Sequence, residues 1–224
     1  MKQKIYNMLI LDKSGSMNSI REATVGGVNE TIGGVKSVAK KNAEEQEHFF
    51  SLFQFCGCEK TFVKHNIPAD EAELITMNDF VPCCNTPLYD AIGIACNKLE
   101  HEIENEGNAL VQVTIITDGY ENSSTEYRAN DVKSLIERLR RKGWTFAYMG
   151  ANHDVKEVGE LLSIRNTMSF NADVEGTRHA FAVQRAANEN WSDRVKAVEF
   201  CNCSISEKIA LDEDFFEDKD EKKK

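Results

Sequence analysis

The sequence predicts an α/β fold in which a doubly wound, mostly parallel central sheet has helices on both faces. Apolar runs at residues 8–11 and 111–117 are typical of buried strands, and stretches with helical periodicity lie between such runs. Alternation of strands with helices favours a parallel sheet that is covered on both faces. The short connection at residues 56–59 favours a hairpin instead, which adds one antiparallel strand at the sheet edge.

The first half of the chain predicts three strands and one long helix. Residues 4–11 form the first strand, and residues 48–55 and 60–66 form the two strands of the hairpin. Along residues 19–41, apolar side chains recur at spacings of three and four, which predicts a helix with one buried face; they are Val25, Val28, Ile32, Val35 and Ala39. Two glycine pairs, at 26–27 and 33–34, weaken this helix, because each glycine costs about 1 kcal/mol relative to alanine. We interpret them as points of close approach to the sheet.

The second half of the chain continues the alternation of helices and strands. Residues 87–104 predict a helix because apolar residues recur on one face from Leu88 to Leu99. Pro87 suits the first helical position, which places Thr86 at the N-cap. The remaining predicted strands cover residues 109–117, 144–149 and 167–170, and the remaining helices cover residues 129–141, 154–162 and 175–190.

Length and charge indicate one globular domain with an acidic surface. We assign residues 1–205 to this domain and residues 206–224 to a charged tail that we expect to be disordered. The net charge of −10 argues against a nucleic-acid partner, because phosphate contacts require a basic face. The apolar stretch at residues 5–11 is too short for a signal peptide or a membrane span, so we expect a cytoplasmic protein without membrane contact.

Hydroxyl and carboxylate side chains stand at the predicted ends of several elements. Asp12, Ser14 and Ser16 follow the first strand, Thr86 precedes a helix, and Asp118 follows the strand at residues 109–117. In an open α/β sheet, ligands bind outside the carboxyl ends of the strands, so these oxygens can converge there. Oxygen atoms are the ligands that Mg²⁺ prefers. The sequence therefore predicts a magnesium site at this edge.

In these residues the chain resembles a stand-alone, bacterial-type von Willebrand factor type A (VWA) domain over about residues 4–190. The resemblance implies a complete metal-ion-dependent adhesion site, in which all five side chains hold Mg²⁺ directly or through water, with Mn²⁺ or Ca²⁺ as alternatives. It implies one open coordination position for an Asp or Glu of a protein partner. Among stand-alone members, ATPases of the AAA class or stress-response systems are suggested partners, and oligomeric state stays open.

A predicted rim for the partner surrounds these ligands. Asn85 lies beside Thr86, and Tyr120 and Glu121 follow Asp118 within two or three residues of the chain. We predict that these three side chains contribute to partner specificity.

Two alternatives use the same residues differently. Asp and Ser at residues 12–16 also suit the N-cap of a helix, and Asp118-Gly119 suits a simple turn. A Mg²⁺ ion with an open position is also a Lewis acid, so a metal-assisted hydrolase or phosphoesterase is the alternative function. We favour binding and assign no catalytic residue, because the sequence contains no G-x-S-x-G motif and no His paired by spacing with Ser or Cys.

Cysteines form a second group of candidate ligands. The chain has seven, an odd number that does not suggest a secreted disulfide scaffold, so we expect most to be reduced. Cys56, Cys58, Cys83 and Cys84 are predicted near the same end of the sheet as the oxygen ligands. A zinc cluster is one interpretation, although C-x-C and C-C spacings are unusual for zinc. Ordinary semi-buried side chains are the other, and we favour the latter.

Overall fold

A computed structural model describes residues 2–107, 109–196 and 204–216, and it confirms the predicted α/β fold. The strands are β1 (Gln3–Asp12), β2 (Gln46–Cys56), β3 (Glu59–Pro68), β4 (Ala109–Thr117), β5 (Trp144–Ala151) and β6 (Asn166–Phe170). The helices are α1 (Arg21–Lys41), α2 (Leu88–Glu102), α3 (Ala129–Arg140), α4 (Val155–Leu162), α5 (Val174–Lys196) and α6 (Ile205–Ala210), with short 3₁₀ helices at Gly15–Ile20 and Ala69–Glu71. Within the described residues, no helix is both long and apolar enough to cross a membrane.

The six strands form one sheet in the order β3-β2-β1-β4-β5-β6. All neighbouring pairs are parallel except β2 and β3, which confirms the single antiparallel strand at the edge. The chain runs outward in one direction from β1 to β3 and in the other direction from β4 to β6. The strand order therefore reverses between β1 and β4, which is the position where open α/β sheets bind ligands.

Hydrophobic residues cover both faces of the sheet. On one face, Ile10 and Ile115 of the central strands are buried together with Ile92 of α2, Ile136 of α3 and Leu162 of α4. Their immediate neighbours in sequence, Leu11 and Ile116, point to the opposite face, because successive side chains of a strand alternate. Strands β1 and β4 thus contribute apolar side chains to both faces of the sheet, and both strands are buried on both sides.

Helices α1 and α5 cover the second face and pack against each other. Leu11 and Ile116 contribute to this layer together with Ile32 of α1 and Phe181 of α5. A Cβ atom on Gly27 would lie 2.0 Å from the ring of Phe181, and one on Gly34 would lie 2.8 Å from the side chain of Arg185. The close approach that we predicted for these glycines is therefore made to α5 rather than to the sheet.

Several helix boundaries differ from the predicted ones. The helix predicted from residue 19 begins at Arg21, after the 3₁₀ helix Gly15–Ile20. Helix α2 begins at Leu88 with Pro87 as its N-cap, so the placement of Thr86 at the N-cap was wrong. Helix α5 extends six residues beyond the predicted end at residue 190, because Trp191 and Val195 are buried against strands β1 and β4.

Residues 206–216 differ from the disordered tail that their charge predicts. Ser204 caps α6, and the Asp212 carboxylate is fully buried, where it pairs with Arg140 and accepts a hydrogen bond from the backbone N–H of Phe146 at 2.7 Å. Phe215 is also buried, beside Trp191. Residues 204–216 therefore pack on the domain because two of their side chains fill its core. The rest of the predicted tail, residues 217–224, lies outside the described residues.

Candidate metal centre

Three loops bring the predicted oxygen ligands to one end of the sheet. Asp12 is the last residue of β1, Asp118 follows the last residue of β4, and Thr86 lies in the loop before α2. All three side chains are buried, with exposed fractions of 0 %, 3 % and 4 %. Strands β1 and β4 are adjacent and parallel, so their carboxyl ends deliver the two aspartates side by side.

Hydrogen bonds connect four of the five predicted ligands in sequence. The Ser14 backbone N–H donates to Asp12 Oδ1 at 2.6 Å, and the Ser14 and Ser16 hydroxyls lie 3.2 Å apart. The Ser16 hydroxyl donates to Asp118 Oδ1 at 2.6 Å. Ser14 stands at the N-cap of the 3₁₀ helix, yet its side chain makes no capping hydrogen bond. The hydroxyls of this turn face the carboxylates instead, which argues against helix capping as their purpose.

Thr86 joins this group through the loop that follows β4. Its backbone N–H donates to Asn122 Oδ1 at 2.9 Å, and the Asn122 N–H donates to the Thr86 carbonyl at 3.1 Å. The Thr86 hydroxyl oxygen lies 3.8 Å from the position that a Cβ on Gly119 would occupy. The loop containing Thr86 is therefore held against the loop containing Asp118.

The two carboxylates lie in an electrostatic environment that lacks a compensating ion pair. Burial, with a smaller contribution from the charge of Asp118, raises the pKa of Asp12 to about 6 against the lowering effect of its hydrogen bonds. Burial also raises the pKa of Asp118. In the described part of the chain, neither aspartate forms an ion pair with Lys or Arg. Lys13, which directly follows Asp12 in the sequence, pairs instead with Glu59 at 2.5 Å. Two buried carboxylates without a cationic partner fit a bound cation.

Thr117 also belongs to this site, although its position in the sequence did not predict it. Its hydroxyl donates to Asp12 Oδ2 at 2.5 Å and accepts a hydrogen bond from the Gly119 N–H at 3.2 Å. Asp12 thus has a hydrogen-bond donor at each oxygen, one from Ser14 and one from Thr117. The signal in the sequence was a hydroxyl residue directly before Asp118, but only the pairing of β1 with β4 directs it toward Asp12.

Glu121 has a different environment from the exposed rim that we predicted. Its Oε1 accepts hydrogen bonds from the N–H groups of Ser123 and Ser124, at 2.8 and 2.7 Å. Its Oε2 accepts from the Tyr89 N–H at 2.9 Å and the Ser124 hydroxyl at 2.6 Å. Both carboxylate oxygens are therefore engaged within the chain. Glu121 fixes the loop after β4 to the start of α2.

Asp90 also holds the loop after β4, a role that the sequence did not predict. This fully buried carboxylate accepts hydrogen bonds from the backbone N–H groups of residues 125, 126 and 127, at 2.9–3.0 Å. It also pairs with Lys60 of β3 at 2.9 Å. Asp90 therefore holds the loop that carries Asp118 and Asn122 in one conformation.

Asn85 and Tyr120 are exposed beside the candidate site, as a rim would require. The Tyr120 side chain is 50 % exposed, and its hydroxyl accepts a hydrogen bond from the Asp154 N–H at 3.1 Å. Its ring centroid lies 5.0 Å from that of His153. The backbone of Asn85 binds the hairpin between β2 and β3 through its carbonyl, which leaves its side chain at the surface.

His153 lies near Asp118, and both of its ring nitrogens have partners. Nδ1 lies 2.6 Å from the Ala151 carbonyl, which can only accept, so Nδ1 carries the proton. Nε2 then accepts from the Tyr148 hydroxyl at 2.7 Å. Burial lowers the pKa of His153, which favours this neutral form. The lone pair that a general base needs is therefore occupied.

The four cysteines singled out from the sequence also converge. Cys56 Sγ lies 3.4 Å from Cys83 Sγ, and Cys58 Sγ lies 2.8 Å from Cys84 Sγ. The sulfur atoms of Cys58, Cys83 and Cys84 all lie within 4.8 Å of one another. The hydrogen bond between Cys83 and Cys56, together with burial, raises the pKa of the Cys83 thiol to about 12. We call these four residues the thiol cluster.

Comparisons with known proteins place the fold among solved structures, whereas the sequence has no match. No protein-family model and no curated protein matches the chain. The VWA domain of SpRpn10 is similar, with a TM-score of 0.55 and 11% identity over 80% of this chain and 94% of that one. The pilus adhesin SpaC from Lactobacillus rhamnosus GG has a TM-score of 0.56 and 12% identity, over 84% of this chain and 30% of that one.

A mussel protein also has a similar fold, with a comparable TM-score. Proximal thread matrix protein 1 from the mussel byssus has a TM-score of 0.53 and 12% identity, over 89% of this chain and 47% of that one. At identities of 11–12%, these likenesses show the fold and not the chemistry of the site. The chain described here has the three-layer α/β fold of VWA domains.

Proposed function

We propose that this protein is a divalent-metal-dependent protein-binding module. Asp12, Ser14, Ser16, Thr86 and Asp118 would hold Mg²⁺, and an Asp or Glu of a partner protein would complete the coordination of the ion. Mn²⁺ and Ca²⁺ are alternatives, since both take oxygen ligands. The structural likeness to a VWA domain and to an adhesin supports a role in protein interaction.

One observation carries the proposal: the two buried carboxylates, Asp12 and Asp118, form no ion pair with Lys or Arg among the described residues. Both have a raised pKa for which burial is the leading cause. Burial of ionised carboxylates is unfavourable unless a positive charge accompanies them. A divalent cation between the two loops would supply that charge, and the hydroxyls that now donate to or face the carboxylates would become its ligands.

The donor set also explains why a partner carboxylate would bind. Three of the five proposed ligands are neutral hydroxyls, which donate less charge to Mg²⁺ than carboxylates do. A carboxylate from outside is therefore a stronger ligand than the water it would replace. Ser16 is exposed, and so are Asn85 and Tyr120 beside it, which gives a protein surface access to the ion.

The environment of His153 favours binding over hydrolysis. A metal-assisted hydrolase needs a general base that can take a proton from water or substrate. Both ring nitrogens of His153, which follows β5 at this end of the sheet, are engaged in hydrogen bonds within the chain. The chain therefore holds this imidazole in a structural position, and we propose no catalytic step.

Metal-dependent capture of a partner tests the proposed function. Immobilised protein is incubated with extract from its source in Mg²⁺ or in EDTA, and retained proteins are quantified by mass spectrometry. We expect one set of proteins to be retained only with Mg²⁺ and to be lost with Asp118→Ala and Thr86→Ala. Asp70→Ala, a change at an exposed acidic residue outside the proposed site, should leave capture unchanged.

Two results would contradict the proposed function. Equal capture in Mg²⁺ and EDTA would show that the metal does not bridge to the partner. Mg²⁺-dependent phosphoesterase turnover that is lost with Asp12→Ala would favour the hydrolase instead. Circular dichroism of each variant establishes that the loss of capture does not come from unfolding.

A further inference from the structure

A second cluster of ligand-type side chains lies beside the oxygen site, and the proposed function does not use it. We propose that Cys56, Cys58, Cys83 and Cys84 bind one Zn²⁺ as a closed site of four thiolates. This zinc would fasten the hairpin between β2 and β3 to the loop that carries Thr86. The site is separate from the oxygen site in its residues and in the class of metal that it selects.

Three of the four sulfur atoms have mutual distances close to those of a tetrahedral zinc site, and the fourth, that of Cys56, contacts Cys83 but lies outside this group of three. Zn–S bonds of about 2.3 Å in tetrahedral geometry place neighbouring sulfurs about 3.8 Å apart. Cys58, Cys83 and Cys84 have all their sulfurs within 4.8 Å of one another, and Cys56 Sγ lies 3.4 Å from Cys83 Sγ. The Cys58 and Cys84 sulfurs, now 2.8 Å apart, need to separate by about 1 Å.

The chemistry of the ligand set selects a soft metal. Thiolates bind Zn²⁺ strongly and Mg²⁺ poorly, whereas the neighbouring hydroxyls and carboxylates have the opposite preference. Cys56 is fully buried and Cys83 half-buried, while Cys58 and Cys84 are exposed. The proposed zinc would therefore sit at the surface, with its inner side closed by protein and its outer side closed by two thiolates. Four protein ligands leave no open position, as in structural zinc sites.

The backbone brings the two cysteine pairs together at close range. The Gly57 N–H donates to the Asn85 carbonyl at 2.9 Å, and a Cβ on Gly57 would lie 3.2 Å from the Asn85 nitrogen. A side chain at residue 57 would therefore press on the facing loop, which would have to move by a few tenths of an ångström. Cys84 adopts a φ of 60°, a left-handed conformation that is uncommon for residues other than glycine. This conformation accompanies the contact between its sulfur and that of Cys58.

This arrangement explains how unusual spacings can form a zinc site. Zinc ligands usually come in pairs separated by two to four residues, whereas here the pairs are C-x-C and C-C. The sulfur contacts run across the two loops, from Cys56 to Cys83 and from Cys58 to Cys84, rather than within each pair. Two loops therefore contribute two ligands each, and the hairpin geometry replaces the usual spacing.

A zinc in the thiol cluster would also support the oxygen site. The Cys83 N–H donates to the Lys13 carbonyl at 2.9 Å, and the Gly15 N–H donates to the Cys84 carbonyl at 3.0 Å. The loop that holds two zinc ligands is thus bonded to the turn between Asp12 and Ser16. Thr86 follows two residues after Cys84 on the same loop. The proposed zinc is a clamp on two of the three loops that carry the oxygen ligands.

Zinc content of the purified protein tests the proposal. The wild type and the variants Cys58→Ser and Cys84→Ser are produced with zinc in the medium, purified with a reductant and without chelator, and measured by elemental mass spectrometry. We expect about one zinc per chain in the wild type and below about 0.2 in each variant. Cys96→Ser, which changes a buried cysteine of the core outside the cluster, should retain about one zinc.

Cobalt substitution adds a readout that identifies the ligands. Co²⁺ in a site of four thiolates gives intense thiolate-to-metal charge-transfer bands and strong visible bands of tetrahedral geometry. We expect these in the wild type and in Cys96→Ser, and we expect them to be almost absent when Ser replaces Cys58 or Cys84. Since both residues are exposed, these two variants keep the core intact, and circular dichroism checks their fold.

Three outcomes would overturn the zinc site. They are wild-type zinc below about 0.2 per chain, undiminished zinc in both Cys58→Ser and Cys84→Ser, and Cys56–Cys83 or Cys58–Cys84 disulfides found by mass spectrometry in protein purified with reductant. Asp118→Ala should keep its zinc, so loss of the thiol site and loss of the oxygen site are measured independently.

Discussion

The carboxyl end of the sheet carries two groups of ligand-type side chains that differ in nearly every physical respect. The oxygen site joins β1, β4 and the loop before α2 with two carboxylates and three hydroxyls, and both aspartates are buried. The thiol cluster joins the β2–β3 hairpin to the same loop with four sulfurs, two of which are exposed. Only one residue, Asn85, separates Cys84 from Thr86. Neighbouring residues of one loop thus serve two different kinds of ligand chemistry.

The two groups of ligands would use a metal in different ways. Mixed hydroxyls and carboxylates leave a hard cation incompletely coordinated, which suits contact with a second molecule. Four thiolates would saturate a soft cation and leave nothing for a partner, which suits a structural clamp. In this account the oxygen site performs the binding, and the thiol cluster holds the loops on which it depends.

We expect the largest change in stability from Asp12→Asn, which removes the charge of a buried carboxylate and keeps its shape. In the folded, metal-free chain the pKa of Asp12 is raised to about 6 by burial, whereas an unfolded aspartate titrates near about 3.9. The unfolded chain therefore loses this proton first, and the stability of the metal-free protein falls as pH rises from about 4 to about 6. Asp12→Asn abolishes this loss. At pH 8 in chelator, we expect it to be more stable than the wild type by up to about 3 kcal/mol.

Urea denaturation at several pH values measures this effect. The difference between Asp12→Asn and the wild type should vanish near pH 4 and reverse in sign when Mg²⁺ saturates the wild type at pH 8. Asp70→Asn, at an exposed residue, serves as the matched control. Equal stability of Asp12→Asn and wild type at pH 4 and pH 8 in chelator would contradict the electrostatic account of the site.

A smaller effect is expected at Thr117, which positions a ligand without binding the metal. Its hydroxyl donates to Asp12 Oδ2 at 2.5 Å, so Thr117→Val removes the hydrogen bond and keeps the shape. Loss of such a supporting partner typically lowers metal affinity by about 10-fold to 100-fold, and we expect about 10-fold for Mg²⁺ by calorimetry. Thr125→Val, at an exposed position of the same loop region, should change the affinity by less than about twofold. Unchanged affinity in Thr117→Val would remove this residue from the site.

The smallest effect is expected at the ion pair that links the two regions. Lys13 lies between two oxygen ligands, and its partner Glu59 follows Cys58 directly; their side chains are 10% and 50% exposed. Because the Glu59 carboxylate is half-exposed, solvent screens the pair, so Glu59→Gln should change stability by less than about 1 kcal/mol. It should leave zinc content and Mg²⁺ affinity within about twofold. A change beyond about tenfold in either would mean that charge, rather than the backbone contacts between the loops, couples the two regions.

The sequence predicted the sheet well because its central strands have a strong local signal. Strand β4 has the predicted bounds, and the antiparallel edge follows from the short hairpin around Gly57. Residues 206–216 were predicted poorly, because their charge suggests disorder while Asp212 and Phe215 fill spaces that only the folded domain creates. Packing between distant residues decided the outcome there.

The candidate site divides in the same way. The structure brings Asp12, Ser14, Ser16 and Asp118 into one hydrogen-bonded group and holds the loop of Thr86 against it, as the spacing predicted; their role as metal ligands remains a prediction. Thr117, Asp90 and the inward orientation of Glu121 could not be predicted, because their partners lie on other elements. Identifying side chains that support a site requires the pairing of strands and loops, which residue types alone do not specify.

A divalent metal at Asp12 and Asp118 can be detected by a Mn²⁺ titration of chelator-treated protein, followed by electron paramagnetic resonance with Mg²⁺ as competitor. We expect about one Mn²⁺ per chain, displaced by Mg²⁺, and an affinity at least about 100-fold lower in Asp118→Ala. Wild-type protein that binds no Mn²⁺, or Asp118→Ala that binds it as tightly as the wild type, would contradict a divalent metal site at these residues.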